Sequence, residues 1–369
     1  MEFDKLSRRD FLKASAFGLG AVAFRPMLSA SLKADAQWPE GQQLGRVCVD
    51  ELDVRDRPSA DGTSVGKLQA DDVVQWLKEV VGDRPPTRIS RRWIETPDGY
   101  VYAPSIQPVM NKPNQPVSQL PAAEVQPNIP TGKGMWVEIT VPYVDVTPTT
   151  ATPAGYWLRE NTNPRLYYSQ VVWVDDMKTD ADGNVLYQVN ERYGSRGDKL
   201  LARAEAFRQI TAEEIAPINP DASDKKIIVD LTNEYLSCYE GSNEVYFCQV
   251  SAGINFDEDG NPIDHSRTPA GDHPIWRKLV SLHMEGGTAG GGYDLPGVAW
   301  TCLFASTGEA IHSTFWHNDF GNKRSHGCVN VAPEDAKWIF RWTNPQIVYD
   351  PGDLTISGPG GTVVSIIGS

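Results

Sequence analysis

Apolar residues come in short runs that alternate with polar ones, and turn residues separate the runs. From Gly45 to Val109 the chain reads "GRVCVDELDVRDRPSADGTSVGKLQADDVVQWLKEVV" and then "RRWIETPDGYVYAPSIQPV". Alternation at Val47 and Val49 and again at Leu52 and Val54 predicts half-buried strands. "WIETPDGYVYA" predicts a strand, a Pro-Asp-Gly turn and a returning strand, and "GKLQADDVVQWL" two strands about a bend. Residues 110–130 hold five prolines and no apolar period, which predicts an extended linker. Alternation resumes over 131–215 in "GMWVEITVPYVDV", "YYSQVVWVDD", "GNVLYQVNERYG" and "GDKLLARAEAFRQIT". "DADG" at 180–183 is hairpin-turn chemistry; it lacks the spaced carboxylates and closing Glu of a calcium loop. From 224 onward "KKIIVDLTNEYLSCYEGSNEVYFCQVSAGI" predicts a hairpin, and "APEDAKWIFRW" at 332–342 a helix. Pro333 sits in that helix's first turn, with Glu334 and Asp335 at its positive end. "QIVYDPGDLTISG" and "GTVVSIIG" add closing strands.

These elements make a mainly β protein of more than one domain, as 369 residues also suggest. Composition adds abundant Gly and Pro, in keeping with many turns. A formal net charge of −14 disfavours nucleic acid as a partner and fits a soluble surface.

The amino terminus carries "SRRDFLK" at 7–13, followed by the small apolar run "ASAFGLGAVAF" at 14–24. The run is too short for a membrane-spanning helix, so the mature protein is expected to carry none. The layout resembles a twin-arginine (Tat) export signal over residues 1–36, with "ADA" at 34–36 or "LSA" at 28–30 as the cleavage site. That resemblance implies export by the Tat machinery to the cell envelope or beyond. Five cysteines leave at least one unpaired; Cys238 and Cys248 flank a turn and are candidates to pair across a hairpin. Cys48 and Cys302 read as small core residues.

The order of strands and turns over 37–109, with "LDVRDRPS" and "GYVYAPSI", resembles bacterial SH3-like domains, which implies a small β-barrel there. Residues 131–222 read as a second small β-domain, a diverged SH3-like repeat being one reading, and 223–369 as a third unit.

Chemistry concentrates in "AIHSTFWHNDFGNKRSHGCVNV" at 310–331, which holds three of the six histidines and Cys328. Zinc is one reading, because His312, His317, His326 and Cys328 are acceptable ligands, but the spacing matches no common zinc pattern. The other is a cysteine nucleophile. A thiol needs a nearby imidazole to react at neutral pH, and Gly327 leaves the backbone beside Cys328 uncrowded enough for its N–H groups to face an oxyanion. Asn330 reads equally as a site residue or a local turn residue. The glycine-rich stretch 284–297 reads as a flap over a cleft, and His265, His273 and His283 as surface or core histidines.

"IHS", a spacer and "SHGCVN" together resemble the signature of the L,D-transpeptidase (YkuD-like) catalytic domain. "SRTPAGDHPIW", "LPGVAW" and "FWHNDFG" resemble its flanking segments, so the likeness runs from about Lys225 to Ile367. It implies a β-sandwich with a short helix. It implies Cys328 as nucleophile, His312 as proton acceptor and donor, and the Ser313 carbonyl orienting His312. His326 and Gly327 would line the oxyanion hole, His326 also lying close to the sulfur, while Ser325, Asn330, Trp316 and His317 would lie against substrate. It implies peptidoglycan stem peptides as partners and neither metal nor cofactor. The same residues serve an L,D-carboxypeptidase if water resolves the thioester, and a protein that only binds the wall is the reading from another class.

Overall fold

The computed structural model describes residues 38–85, 89–124, 132–194, 196–255, 266–286 and 293–368. Residues 1–36, which hold the expected export signal, together with His265 and residues 287–292 of the glycine-rich stretch, lie outside them. Residues 37–369 form one compact unit, mainly β. No helix among the described residues is long and apolar enough to cross a membrane.

The first part is two small antiparallel sheets about one core. One sheet orders Val73–Gln75, Gln43–Val47 and Ile106–Met110; the other orders Ser64–Gln69, Glu51–Arg55, Gly99–Tyr102, Arg92–Thr96 and Lys78–Val81. Thr96 faces Gly99 across the expected Pro-Asp turn. Val47, Val54, Trp76, Ile94, Val101 and Ile106 fill the interior. Gly45 has no room for a side chain, because an added Cβ would lie 2.4 Å from Ile106 Cγ2.

The proline-bearing segment is not a free spacer over its described part. Lys112 N–H donates to the Thr140 carbonyl at 2.9 Å and Val117 N–H to the Tyr187 hydroxyl at 2.7 Å; Val117 and Leu120 pack on the middle core. Proline removes donors but leaves its neighbours free to bond, so an extended strip can still be pinned to a sheet.

The middle sheet has six strands, in the order Thr147–Pro148, Lys199–Arg203, Val185–Asn190, Val171–Thr179, Met135–Ile139 and Phe207–Gln209. Its alternation divides residues between two cores. Met135, Val137, Ile139, Val172 and Val174 face one core, whereas Trp136, Val171 and Trp173 face another that continues into the C-terminal part. The Arg192 guanidinium lies 4.3 Å above the Trp173 ring and pairs with Asp350 at 2.6 Å, while Trp136 Nε1 donates to the Tyr349 carbonyl at 2.9 Å. At the hairpin tip the Asp180 carboxylate accepts the Asp182 and Asn184 amides, so it closes a turn.

The C-terminal part stacks two five-stranded sheets. The outer orders Asn243–Gln249, Tyr235–Glu240, Lys225–Asp230, Val363–Ile367 and Gly271–Pro274, with Lys225–Asp230 and Val363–Ile367 parallel. The inner is built from β1 (Arg277–Gly286), β2 (Tyr293–Leu303), β3 (Ala310–Ser313), β4 (Val329–Val331) and β5 (Asp353–Thr355), in spatial order β4-β3-β2-β1-β5. Cys248 faces Leu236 and Cys238 faces Tyr246, so the hairpin register sets the two cysteines on different rungs; all five cysteines are free. Helix α1 (Pro333–Trp342) buries Ala336, Ile339, Phe340 and Trp342. Two buried lysines end it: Lys278 Nζ donates to the Phe340 and Thr343 carbonyls and Lys225 Nζ to that of Trp342. They satisfy acceptors a helix C-terminus leaves open, each of which costs about 1–3 kcal/mol when buried unpaired.

Candidate active site

Strands β3 and β4 run parallel, with Ile311 opposite Val329, His312 opposite Asn330 and Ser313 opposite Val331. Cys328 is the residue before β4. It is therefore displaced from the His312 rung by two positions, roughly 6–7 Å along the strand at the usual rise. The long loop between the strands brings His312 and Cys328 to one end of the sheet, although sixteen positions separate them.

His312 is buried, and Nδ1 lies 2.9 Å from the Ser313 carbonyl oxygen. A carbonyl only accepts, so Nδ1 carries the proton and Nε2 is the free base. Burial pushes the imidazole down to about 4, against a smaller opposing pull from the Ser313 carbonyl. Cys328 is half-buried. Burial pushes its thiol up to about 11, a hydrogen bond with the Ala310 backbone lowers it, and Glu309 raises it. At neutral pH the pair rests as thiol and neutral imidazole.

The turn before Cys328 is tightly specified. Ser325 Oγ donates to the Cys328 carbonyl at 2.5 Å and accepts the Gly327 amide at 3.1 Å. That amide, expected at an oxyanion hole, is here bonded within the turn. Gly327 has φ +117°, and an added Cβ would meet Glu309 Cγ at 3.1 Å. Any other residue is strained there, by about 1–3 kcal/mol. The segment 250–254 laces the turn from below: the Ala252 carbonyl accepts the Arg324 and Ser325 amides at 2.9 and 3.0 Å, and the Gly253 amide donates to Thr268 Oγ1 at 2.9 Å. Buried Glu234 accepts the Ala252 amide at 2.7 Å, and burial pushes its carboxyl up to about 7.

His326 is exposed, and its ring lies 5.5 Å from that of Tyr293, which belongs to the glycine-rich stretch. Trp316 packs its ring 5.8 Å from the His312 ring. His317 is buried and bonded inside the protein through both ring nitrogens. Nδ1 accepts the Asp319 amide at 3.2 Å, and Nε2 lies 3.1 Å from the Asn330 side-chain amide. The proton of neutral His317 must then sit on Nε2. Turning the Asn330 amide so that its oxygen faces Nε2 also gives a partner to Oδ1, which otherwise has none. Asn330 is thus tied to His317 through its side chain and to Ser251 through its backbone.

Two features were not readable from the sequence, one at the thiol turn and one at the flank of the glycine-rich stretch. Glu309 packs against Gly327 and raises the Cys328 thiol. Replacing it by Gln is expected to lower the thiol's titration point, so alkylation by iodoacetamide gains about two- to tenfold at any pH below it; an unchanged pH profile contradicts the electrostatic assignment. His283, read as a surface or core histidine, is a buried imidazolium. Nδ1 donates to Glu191 Oε2 at 2.7 Å and Nε2 to Asp294, and the two carboxylates outweigh burial and push it up to about 9. Glu191 also accepts the Gly297 amide at 3.0 Å, so the cluster ties the middle sheet to both flanks of the glycine-rich stretch. Glu191 is 92 residues from His283, and no local pattern links them. Among the described residues no group of three or more His, Cys, Asp or Glu is arranged to hold a metal ion.

Residues 224–366 match the YkuD family, the L,D-transpeptidase catalytic domain. No curated protein matches the chain. Among solved structures, the avibactam carbamoyl enzyme of an L,D-transpeptidase is similar at 26% identity over 40% of this chain and 50% of that one, with a TM-score of 0.30. A Cys-to-Ser mutant of the Enterococcus faecium L,D-transpeptidase is similar at 24% identity over 40% and 51%, again with a TM-score of 0.30. The L,D-transpeptidase from Mycobacterium smegmatis is similar at 14% identity over 70% and 99%, with a TM-score of 0.31. The chain spans about half the length of the first two.

Proposed function

We propose, for a chain whose residues 224–366 match the L,D-transpeptidase catalytic domain family, that the whole protein is an exported peptidoglycan L,D-transpeptidase with Cys328 as its nucleophile. The observation that carries this reading is the parallel β3–β4 pair, which puts buried neutral His312, its Nδ1 held by the Ser313 carbonyl, within two rungs of the thiol-bearing residue inside the matched segment.

Resting thiol and imidazole decide how the proton moves. Titration points of about 11 and about 4 make a preformed thiolate–imidazolium pair cost on the order of 10 kcal/mol. Attraction across ~4 Å at an effective dielectric near 20 returns only about 4 kcal/mol. Proton transfer to His312 Nε2 therefore accompanies attack. Cys328 Sγ bonds to the carbonyl carbon between the L-centre of the third stem residue and the terminal D-Ala. The C–N bond breaks, His312 gives its proton to the departing D-Ala amine, and a thioester remains. An amine of a second stem then attacks the thioester carbon, its proton passes to His312, and the C–S bond breaks to restore the thiol and give a 3→3 cross-link. Backbone N–H groups of 326–328 face the oxyanion in both steps, the Gly327 amide exchanging Ser325 Oγ for it. Ser325 and Asn330 would hold the site's shape, and Trp316 and exposed His326 would contact substrate.

Export through the twin-arginine route would deliver the enzyme to the wall, where the SH3-like first part would hold or orient the polymer. Incubating the mature protein with defined tetrapeptide muropeptides tests the reading. D-Ala release with cross-linked dimers is expected. Tripeptide without dimers makes the protein an L,D-carboxypeptidase, and no D-Ala release overturns the enzymatic reading.

A further inference from the structure

The loop joining His312 to Cys328 is gripped from outside the C-terminal part. Arg46, on strand Gln43–Val47 of the first part, is only 4% exposed. Its Nη2 donates to the Phe315 carbonyl at 2.6 Å, its Nε to Gln107 Oε1 at 3.0 Å and its Nη1 to Asp71 Oδ1 at 2.7 Å. The guanidinium lies 4.1 Å above the Tyr167 ring, which stacks on Phe315 at 5.7 Å. The second Asp71 oxygen accepts from Arg165 at 2.9 Å and from the Tyr167 hydroxyl at 3.2 Å. Three residues beyond Phe315, the Asn318 amide donates to the Pro104 carbonyl at 3.1 Å and the Asn318 carbonyl accepts from Arg92 at 3.3 Å.

The first part therefore holds the loop at 315 and at 318. Between those anchors stand Trp316, packed on His312, and His317, bonded to Asn330. Residues 314–319 belong to no strand or helix, so no backbone ladder fixes them. Burying a guanidinium costs several kcal/mol unless its donors are matched. Here one matched donor goes to a loop carbonyl, and the planar fork fixes its direction as a lysine could not. A chemical step that depends on near-attack geometry loses about a hundredfold for a 1 Å misplacement.

We propose that Arg46 is a positioning residue of the catalytic centre: by holding the Phe315 carbonyl it sets Trp316 against His312, which makes the first β-part a working piece of the active site. The inference rests on the reading of Cys328 and His312 as the reacting pair.

The test measures D-Ala release from a tetrapeptide muropeptide by full-length wild type, Arg46→Gln, Arg46→Lys and Arg92→Ala, across pH, with melting temperatures. Arg46→Gln is expected to lose about ten- to a hundredfold in kcat with KM changed less than about threefold. Loosened cover over His312 lets water in and lessens its desolvation, so the acidic limb of the profile moves up from near pH 4 toward the free-histidine range. Arg46→Lys recovers only part of the loss, and Arg92→Ala shows a smaller loss of the same kind. Arg46→Gln with a lowered melting temperature but unchanged kcat and acidic limb makes the contact a structural tie and overturns the proposal. Should that variant not fold, Arg92→Ala decides by the same two readouts. Inert wild type fails the reaction reading and this proposal with it, whereas active wild type with an unaffected Arg46→Gln fails this proposal alone.

Discussion

Cys328→Ala is expected to reduce D-Ala release and dimer formation to background, a loss of at least ~10⁴-fold, because no other group can form the acyl intermediate. Ser325 is the nearest hydroxyl in sequence, and its oxygen already serves both the Cys328 carbonyl and the Gly327 amide. Cys238 and Cys302 are buried in the core. Stability should change by about 1 kcal/mol or less, since the residue is half-buried and its sulfur holds no structural bond apart from the one with the Ala310 backbone. Intact-protein mass spectrometry with tetrapeptide checks the point directly. An adduct on wild type that is missing from the variant is the expected result, and substantial D-Ala release by a folded Cys328→Ala protein rejects the mechanism.

His312→Gln carries the second largest effect, and its signature is a slope. In the wild type a neutral imidazole is available as base at every pH above about 4. Without it only preformed thiolate attacks, and a thiol titrating near 11 is about 10⁻⁴ thiolate at pH 7. The variant should therefore lose on the order of 10²–10⁴-fold at neutral pH. It should also regain rate about tenfold per pH unit between 7 and 10, while the wild type stays nearly flat. Stopped assays of D-Ala release at fixed ionic strength measure both profiles. A flat variant profile, or a neutral rate within a few-fold of wild type, assigns the base elsewhere.

Why part of this was legible beforehand is a matter of range. The thiol, the imidazole and the permissive glycine lie within seventeen residues, and only a loop must fold for them to meet. The hairpin at Thr96 and Gly99 and the helix over 333–342 are likewise local, fixed by turn residues, alternation and end charges. Composition marks the proline-rich strip as extended and stiff but says nothing about the surface beneath it, the middle core on which Val117 and Leu120 pack. The pairing of Cys238 with Cys248 depended on register, which a single bulge between Cys238 and Tyr239 shifts along the hairpin.

Alternation in "GMWVEITV" showed a strand with two faces but left open what covered the second, because a face reads as apolar whether it meets its own core or another's. The tertiary structure turned Trp136 and Trp173 into the seam between middle and C-terminal parts. It also set Lys278 and Lys225 against the end of α1, made His283 an imidazolium between Glu191 and Asp294, and laid Arg46 on the Phe315 carbonyl. Each is a charge whose cost of burial is met in part by a partner 62 to 269 residues away. The sequence by itself determined the β class, the turns and the residues able to do the chemistry, because those follow from local conformational preference and side-chain type. Which charges lie dry and what holds the loop over His312 were decided only when distant strands closed on one another, since desolvation and pairing exist only in three dimensions.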